Sequence, residues 1–272
     1  VKRLVLIFVA FALTLLPHVA RAGELDLTGD LSGFTSPGNI YGPWDTLTGT
    51  YRWVAGADTP SVTLVTRADH DVLAPTHSDG TVIDDYHTWS PRFFTYAALG
   101  LSAGTVLPNR SFYVEGDEKV GRNLTTVLGG GLGVVVNPNG VVQRYLNVGP
   151  TFYANNFNVT LRYLQTFTTS RTGTGTGLLT FQSGQTGKTI ATLNLVAGDQ
   201  PPNGLAEPSQ IAAFGQRTVS AGLEIKHWTS PQGGILAGVV VARLNDQLSG
   251  DLLYVQRGVT LGIFRNIGPA LP

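Results

Sequence analysis

Between Val141 and Phe167 the chain alternates with a period of two. Val142, Arg144, Leu146, Val148, Pro150 and Phe152 fall on one face, and Gln143, Tyr145, Asn147, Gly149, Thr151 and Tyr153 on the other. After the turn signal Ala154-Asn155-Asn156 the pattern resumes. Val159, Leu161, Tyr163, Gln165 and Phe167 stand against Asn158, Thr160, Arg162, Leu164 and Thr166. Residues i and i+2 share a face of a strand, so the stretch predicts a β-hairpin with one apolar and one polar face.

The same alternation recurs along the chain and predicts strands near 24–34, 46–55, 60–69, 80–89, 92–103, 110–118 and 122–136. Further strands are expected near 140–153, 157–169, 175–184, 187–198, 216–228, 234–245 and 256–267. No i, i+3, i+4, i+7 stripe is sustained anywhere after Gly23, so helices are not expected. Connections alternate in length. Short turns sit at Gly56-Ala57-Asp58, Ser90-Pro91, Ala154-Asn155-Asn156 and Ser230-Pro231-Gln232, with longer polar links such as Ala68–Gly80 and Asp199–Gly215 between them. An antiparallel meander with one trimmed rim and one elaborated rim has this signature, as transmembrane barrels do.

Composition narrows the setting. Lys2 and Arg3 precede an apolar run from Leu4 to Leu16, and Ala20-Arg21-Ala22 supplies a small-residue cleavage pattern. These features predict a secretory signal peptide over residues 1–22 and a single exported domain over 23–272. That domain carries 15 of the 18 Lys and Arg against all 18 Asp and Glu, a net charge of −3 with the basic residues scattered. Such a balance argues against nucleic-acid binding. The chain has no cysteine, so disulfides cannot stabilise it.

Two architectures accommodate so many alternating strands. A secreted β-sandwich packs its apolar faces on each other, and its exposed Trp and Tyr would then serve as a carbohydrate-binding surface. A closed barrel turns those faces to lipid and leaves no unpaired edge. Several second faces are small or polar, as in Gln256, Gly258, Thr260 and Gly262 opposite Val255, Val259, Leu261 and Ile263. That favours the barrel. The expected fold is all-β, a single antiparallel up-and-down transmembrane β-barrel of about 12–14 strands in the bacterial outer membrane. Its expected partners are outer-membrane lipids and lipopolysaccharide. Trp53, Trp89 and Trp228 are expected at the lipid interface. Arg144 is expected at the outer interface, where it meets lipid phosphates.

Several stretches carry a family resemblance. They are GPWDTLTGTYRWVAG (Gly42–Gly56), DDYHTWSPRFFTYAALGLSAG (Asp84–Gly104), VLPNRSFYVEGDEKV (Val106–Val120), the hairpin above and LEIKHWTSPQGGILAGVVV (Leu223–Val241). Together they resemble the YaiO family of outer-membrane β-barrel proteins over nearly the whole exported domain. The resemblance implies a Gram-negative outer-membrane barrel, inserted with the help of barrel-assembly machinery, and assigns no catalytic residue.

Candidate chemistry is sparse, and neither a cofactor motif nor a metal-ligand spacing stands out. Asp69-His70-Asp71 and Asp85-Tyr86-His87 place carboxylates and a histidine at i, i+2 spacing. If both flanked one outer loop, Asp69, Asp71, Asp85 and His87 would form a rim hydrolase site resembling that of omptin-type proteases, with His87 as the base. A solvated acidic loop explains the same residues. His77-Ser78-Asp79 and the Gly/Thr run at Thr172–Gly177 read as loops. Gln143, Tyr145, Asn147, Thr160 and Arg162 are expected to face the lumen. There Arg162 either sets the charge selectivity of a pore or joins an interior ion-pair network with Glu115 or Glu224.

Overall fold

A computed structural model of the chain describes residues 22–37, 41–70, 75–121, 123–168, 171–199, 216–246 and 249–268. Residues 1–21 of the expected signal peptide, and Asp71, lie outside the described residues. The strands are β1 (Gly23–Thr35), β2 (Trp44–Trp53), β3 (Ser61–Asp69), β4 (Thr76–Thr88), β5 (Phe93–Gly104), β6 (Arg110–Val120) and β7 (Thr126–Val136). They continue with β8 (Val142–Tyr153), β9 (Phe157–Thr168), β10 (Arg171–Gln185), β11 (Thr189–Asp199), β12 (Gln216–Ser230), β13 (Gly233–Asp246) and β14 (Leu252–Ile267). Each pairs antiparallel with its chain neighbours. β1 also pairs with β14 from Gly23↔Ile267 to Thr35↔Val255, so fourteen strands close into one barrel. Closure satisfies the ladder hydrogen bonds without leaving an edge. It settles the strand number at the upper end of the expectation and excludes the β-sandwich, which needs two open sheets.

Strand parity decides what each side chain meets. On β8, Arg144, Leu146, Val148 and Phe152 point outward and are exposed, while Gln143 and Thr151 are buried on the inner side. On β14, Val259, Leu261 and Ile263 point outward and Gln256, Gly258 and Phe264 inward. The exposed apolar side chains form a continuous outer wall that only lipid can cover. Strands of 9 to 16 residues are long enough to cross a bilayer core when tilted.

The two rims differ. Connections 89–92, 154–156, 186–188 and 231–232 lie on the rim that also holds both strand termini, Gly23 and Ile267. The ends of β1, β3 and β11, which precede residues 36–43, 70–75 and 200–215 in the chain, lie on the opposite rim. Outward aromatic residues gather at the short-turn rim, with Tyr51 stacked on Trp53 at 5.3 Å and Trp89, Phe93, Phe152 and Phe157 exposed. Outward arginines gather at the other rim: Arg110, Arg144, Arg217, Arg243 and Arg257 stand near the strand ends there.

Two segments read as loops are strand. His77-Ser78-Asp79 lies in β4, paired with β3 through Ser78↔Arg67. Ser78 is buried and its Oγ accepts from the Val106 and Leu107 amides at 2.8 and 3.2 Å. The Gly/Thr run at Thr172–Gly177 lies in β10 and, after a register shift between Arg171 and Thr174, pairs with β9 from Thr174 onward. Its bareness has a use, since a Cβ on Gly175 would meet the Tyr163 hydroxyl at 2.5 Å.

Candidate functional site

The interior is polar in two halves, set apart by a buried apolar cluster of Val65, Val82 and Leu107 inside β3 and β4. In the first, Arg162 on β9 reaches along the inner wall past β8 and β7 to β6. Its Nη2 donates to Glu115 Oε1 at 2.6 Å and to Asp117 Oδ1 at 3.3 Å, and its Nη1 donates to the Gly149 carbonyl. All three charged side chains are well shielded. Asn147 Nδ2 donates to the Tyr113 hydroxyl at 2.8 Å and to Glu115 Oε2 at 3.3 Å, and Tyr113 donates to Glu115. Tyr145 stacks on Tyr113 with centroids 5.6 Å apart, and Thr160 bonds Thr151 at 2.9 Å. Gln143, Tyr145, Asn147, Thr160 and Arg162 therefore all point into the lumen.

This arrangement depends on inward glycines of β7. A Cβ on Gly129 would lie 2.6 and 2.7 Å from the two Arg162 terminal nitrogens, and one on Gly131 2.6 Å from the Tyr113 hydroxyl. At Gly133 it would strike the Tyr145 ring. Any side chain at these positions would push the network off the wall and into the lumen.

The second half lies between β1, β2 and β10–β14. A polar cavity of about 310 Å³ is lined there by Thr28, Asp30, Thr48, Asn194, Glu224 and Thr260, with no Lys or Arg in its lining. Thr260 donates to Asp30. Below it, toward the short-turn rim, Lys226 Nζ bonds Glu24 Oε1 at 2.7 Å and lies 3.6 Å from Asp26. Toward the other rim Phe34, Tyr41, Trp44 and Tyr254 cluster, with the Arg67 guanidinium 4.2 Å above the Trp44 ring. Asp117 in the first half and Asp30 in the second were not among the residues singled out from the sequence. Their i, i+2 parity with Glu115 and with Thr28 was the available signal.

The proposed rim hydrolase cluster does not assemble. Asp69 pairs with Thr76 at the long-loop end, whereas Asp84 pairs with Ser61 at the short-turn end. Asp85 and His87 are thus nine or more residues further down β4, about 30 Å away. The antiparallel run of β3 and β4 enforces this. Asp69 instead holds Arg67 at 2.8 Å inside the barrel. His87 Nδ1 bonds Asp58 in the turn before β3, and its ring packs edge-on to Trp89 at 4.3 Å. Asp58, Asp85 and His87 bring ligand atoms within 4.8 Å of one another on the outer face, the one grouping among the described residues able to hold a metal ion. Sequence reasoning missed Asp58, which reaches the others only because the turn docks on β4, Thr59 N donating to Tyr86 O at 2.9 Å.

Trp53 and Trp89 stand on the outer face at the short-turn rim, and Arg144 on the outer face near the opposite rim. Trp228 corrects the expectation. It points inward, its ring 4.8 Å from Phe264 and 5.5 Å from Lys226 Nζ. On β12 the apolar outer face is Val219, Leu223 and Ile225, so position 228 has lumen parity.

A family model described as the YaiO membrane beta barrel domain matches residues 24–203. No curated protein matches the chain. Among solved structures, a Pseudomonas aeruginosa FadL homologue aligns with TM-score 0.55 at 9% identity, covering 91% of this chain and 90% of that one. The Pseudomonas putida toluene transporter TodX aligns with TM-score 0.53 at 8% identity, covering 91% and 90%. The Acinetobacter baumannii outer membrane protein Omp33 aligns with TM-score 0.51 at 10% identity, covering 91% of this chain and all of that one.

Proposed function

Because the chain belongs to the YaiO membrane β-barrel family, and is thereby an integral protein of the bacterial outer membrane, we propose that its lumen is a narrow, cation-preferring passage for small hydrophilic solutes. The short-turn rim faces the periplasm in such barrels, and the long-loop rim faces outward. The observation that carries the reading is the interior cavity of about 310 Å³, whose only charged lining groups are Asp30 and Glu224. That volume has room for about ten waters. Rings of carboxylates favour cations in pores. Lys226, two positions from Glu224 on the same inner face, is paired with Glu24 and Asp26, and Arg162 is held flat on the far wall by Glu115 and Asp117, so neither cation reverses the sign of the passage.

Planar-bilayer recording under a KCl gradient tests this. Small, steady conductance steps with a reversal potential of potassium sign are expected, moving toward zero in Asp30→Asn/Glu224→Gln. Absence of conductance, or anion preference, would refute the reading.

We infer further that the barrel does no hydrolytic chemistry. The separation of Asp69 from Asp85 and His87 supports this, because the groups expected to act together share no site, and the Thr95 hydroxyl opposite His87 is engaged by the Trp89 indole N–H at 3.0 Å. His87→Ala is expected to leave conductance unchanged and to alter no hydrolysis of peptide or ester substrates. A hydrolytic activity lost in that variant would sink the inference.

A further inference from the structure

The outer wall of a barrel is normally convex, but here it is dented across β8–β13. A depression of about 850 Å³ opens on the lipid side, lined by outward residues including Val148, Leu161, Leu179, Leu195, Val219 and Val241. Its floor lies where Gly177 faces Ala197 across β10 and β11. A bilayer cannot leave such a volume empty, so acyl chain must fill it. On β11–β13 the lining residues Leu195, Val219 and Val241 lie in the outward half of their strands, which places the groove at the level of the outer leaflet.

At its outer end the groove is capped by Arg243, which is both a lining residue and an exposed cation. Arg243 pairs with Val255 on β14, and Val241 with Arg257, so the two guanidiniums stand diagonally on one outer face. Diagonal neighbours of this kind are about 7–8 Å apart, close enough for long side chains to share one anion. Arg243 Nε donates to Asn245 Oδ1 at 3.1 Å, and Arg257 Nη1 to Thr35 Oγ1 at 3.3 Å, contacts that orient both groups. The outward positions around them, Val219, Ala221, Val241, Asn245, Val255 and Val259, hold no carboxylate. Across the groove Arg144 stands at a comparable level on β8.

An apolar trough capped by paired guanidiniums matches an amphiphile with acyl chains and an anionic phosphorylated head. We propose that the dented wall of β8–β13 is a specific binding site for a phosphorylated glycolipid of the outer leaflet. One acyl portion lies in the groove, and a headgroup phosphate bridges Arg243 and Arg257. Guanidinium suits this role because it meets phosphate oxygens with two parallel hydrogen bonds.

The test uses the full barrel purified in mild detergent, with retained lipid read by native mass spectrometry. Bisphosphorylated lipid A is the probe, with its dephosphorylated form, phosphatidylethanolamine and the chain-free phosphorylated headgroup as comparisons. Lipid A is expected to be retained preferentially. Arg243→Gln/Arg257→Gln should weaken retention roughly 30-fold, from about a fivefold loss for each cation. Ala197→Phe, which fills the groove two strands from Arg243 and leaves both arginines in the sequence, should displace the lipid as well. Folding of both variants is verified by heat-modifiable migration. Equal retention of the phosphorylated and dephosphorylated lipids, or unchanged retention in the arginine variant, would overturn the proposal. So would headgroup binding as tight as that of the whole lipid, or no effect of Ala197→Phe, since either removes the groove from the account.

Discussion

Replacing Arg162 by alanine should destabilise the barrel by about 3–5 kcal/mol, the loss that follows when one partner of a shielded ion pair is removed. The reason is what remains behind. Glu115 and Asp117 keep side-chain exposures of only 11% and 7%, and with Arg162 gone both carboxylates face each other without a counter-charge. The Gly149 carbonyl also loses its donor. A solvated surface pair would lose only about 0–1 kcal/mol on the same change. The magnitude therefore decides whether the network is structural. Reversible urea unfolding in lipid vesicles measures it, and a loss below about 1 kcal/mol would show that water screens the cluster. The companion variant Glu115→Gln/Asp117→Asn/Arg162→Gln removes every charge while keeping hydrogen-bonding groups. It should recover most of the loss.

Leu261→Arg should cost about 2–4 kcal/mol, because Leu261 is 68% exposed at the middle of β14 with outward parity. The same cation introduced at Ala103, outward and exposed at the outer end of β5, should cost only about 0–1 kcal/mol. Both positions are exposed, so a protein whose outer wall met water would tolerate both equally. A depth-dependent difference between the two variants, read from unfolding in vesicles of defined thickness, marks lipid as the solvent of that wall. Equal costs would contradict the membrane placement.

Much of the fold was legible because a strand writes its face on every second residue. The Val142–Phe152 and Val159–Phe167 faces, the strand count and the rim inequality all follow from that periodicity and from turn residues. What failed was local in a different sense. Gly80 looks like the edge of a turn, so β4 was expected to begin there; in fact Gly80 is an inward residue and β4 starts at Thr76. That shift of four residues moved His77 and Asp79 into strand. It also hid the distance between Asp69 and His87, because the position of a residue along the barrel axis depends on where its strand begins. Trp228 was misplaced for a related reason. Aromatic residues near a strand end belong equally well to an outer girdle or to the inner mouth, and only the parity of Val219, Leu223 and Ile225 separates the two. Contacts between strands three apart, such as Arg162 with Asp117, leave no trace in sequence spacing at all. The dent of β8–β13 is likewise a property of the closed wall rather than of any segment.

A barrel's girth is set by how many strands it has and how they tilt. Its calibre is what the inner side chains leave over. The file of Gly129, Gly131 and Gly133 on β7 recesses the Tyr113, Tyr145 and Arg162 side chains into the thickness of the wall. Calibre is therefore adjustable from one strand without altering the count or registration of the other thirteen. A lineage that fills those three positions would keep the same outer silhouette while shutting its bore. One that empties more of them would widen it.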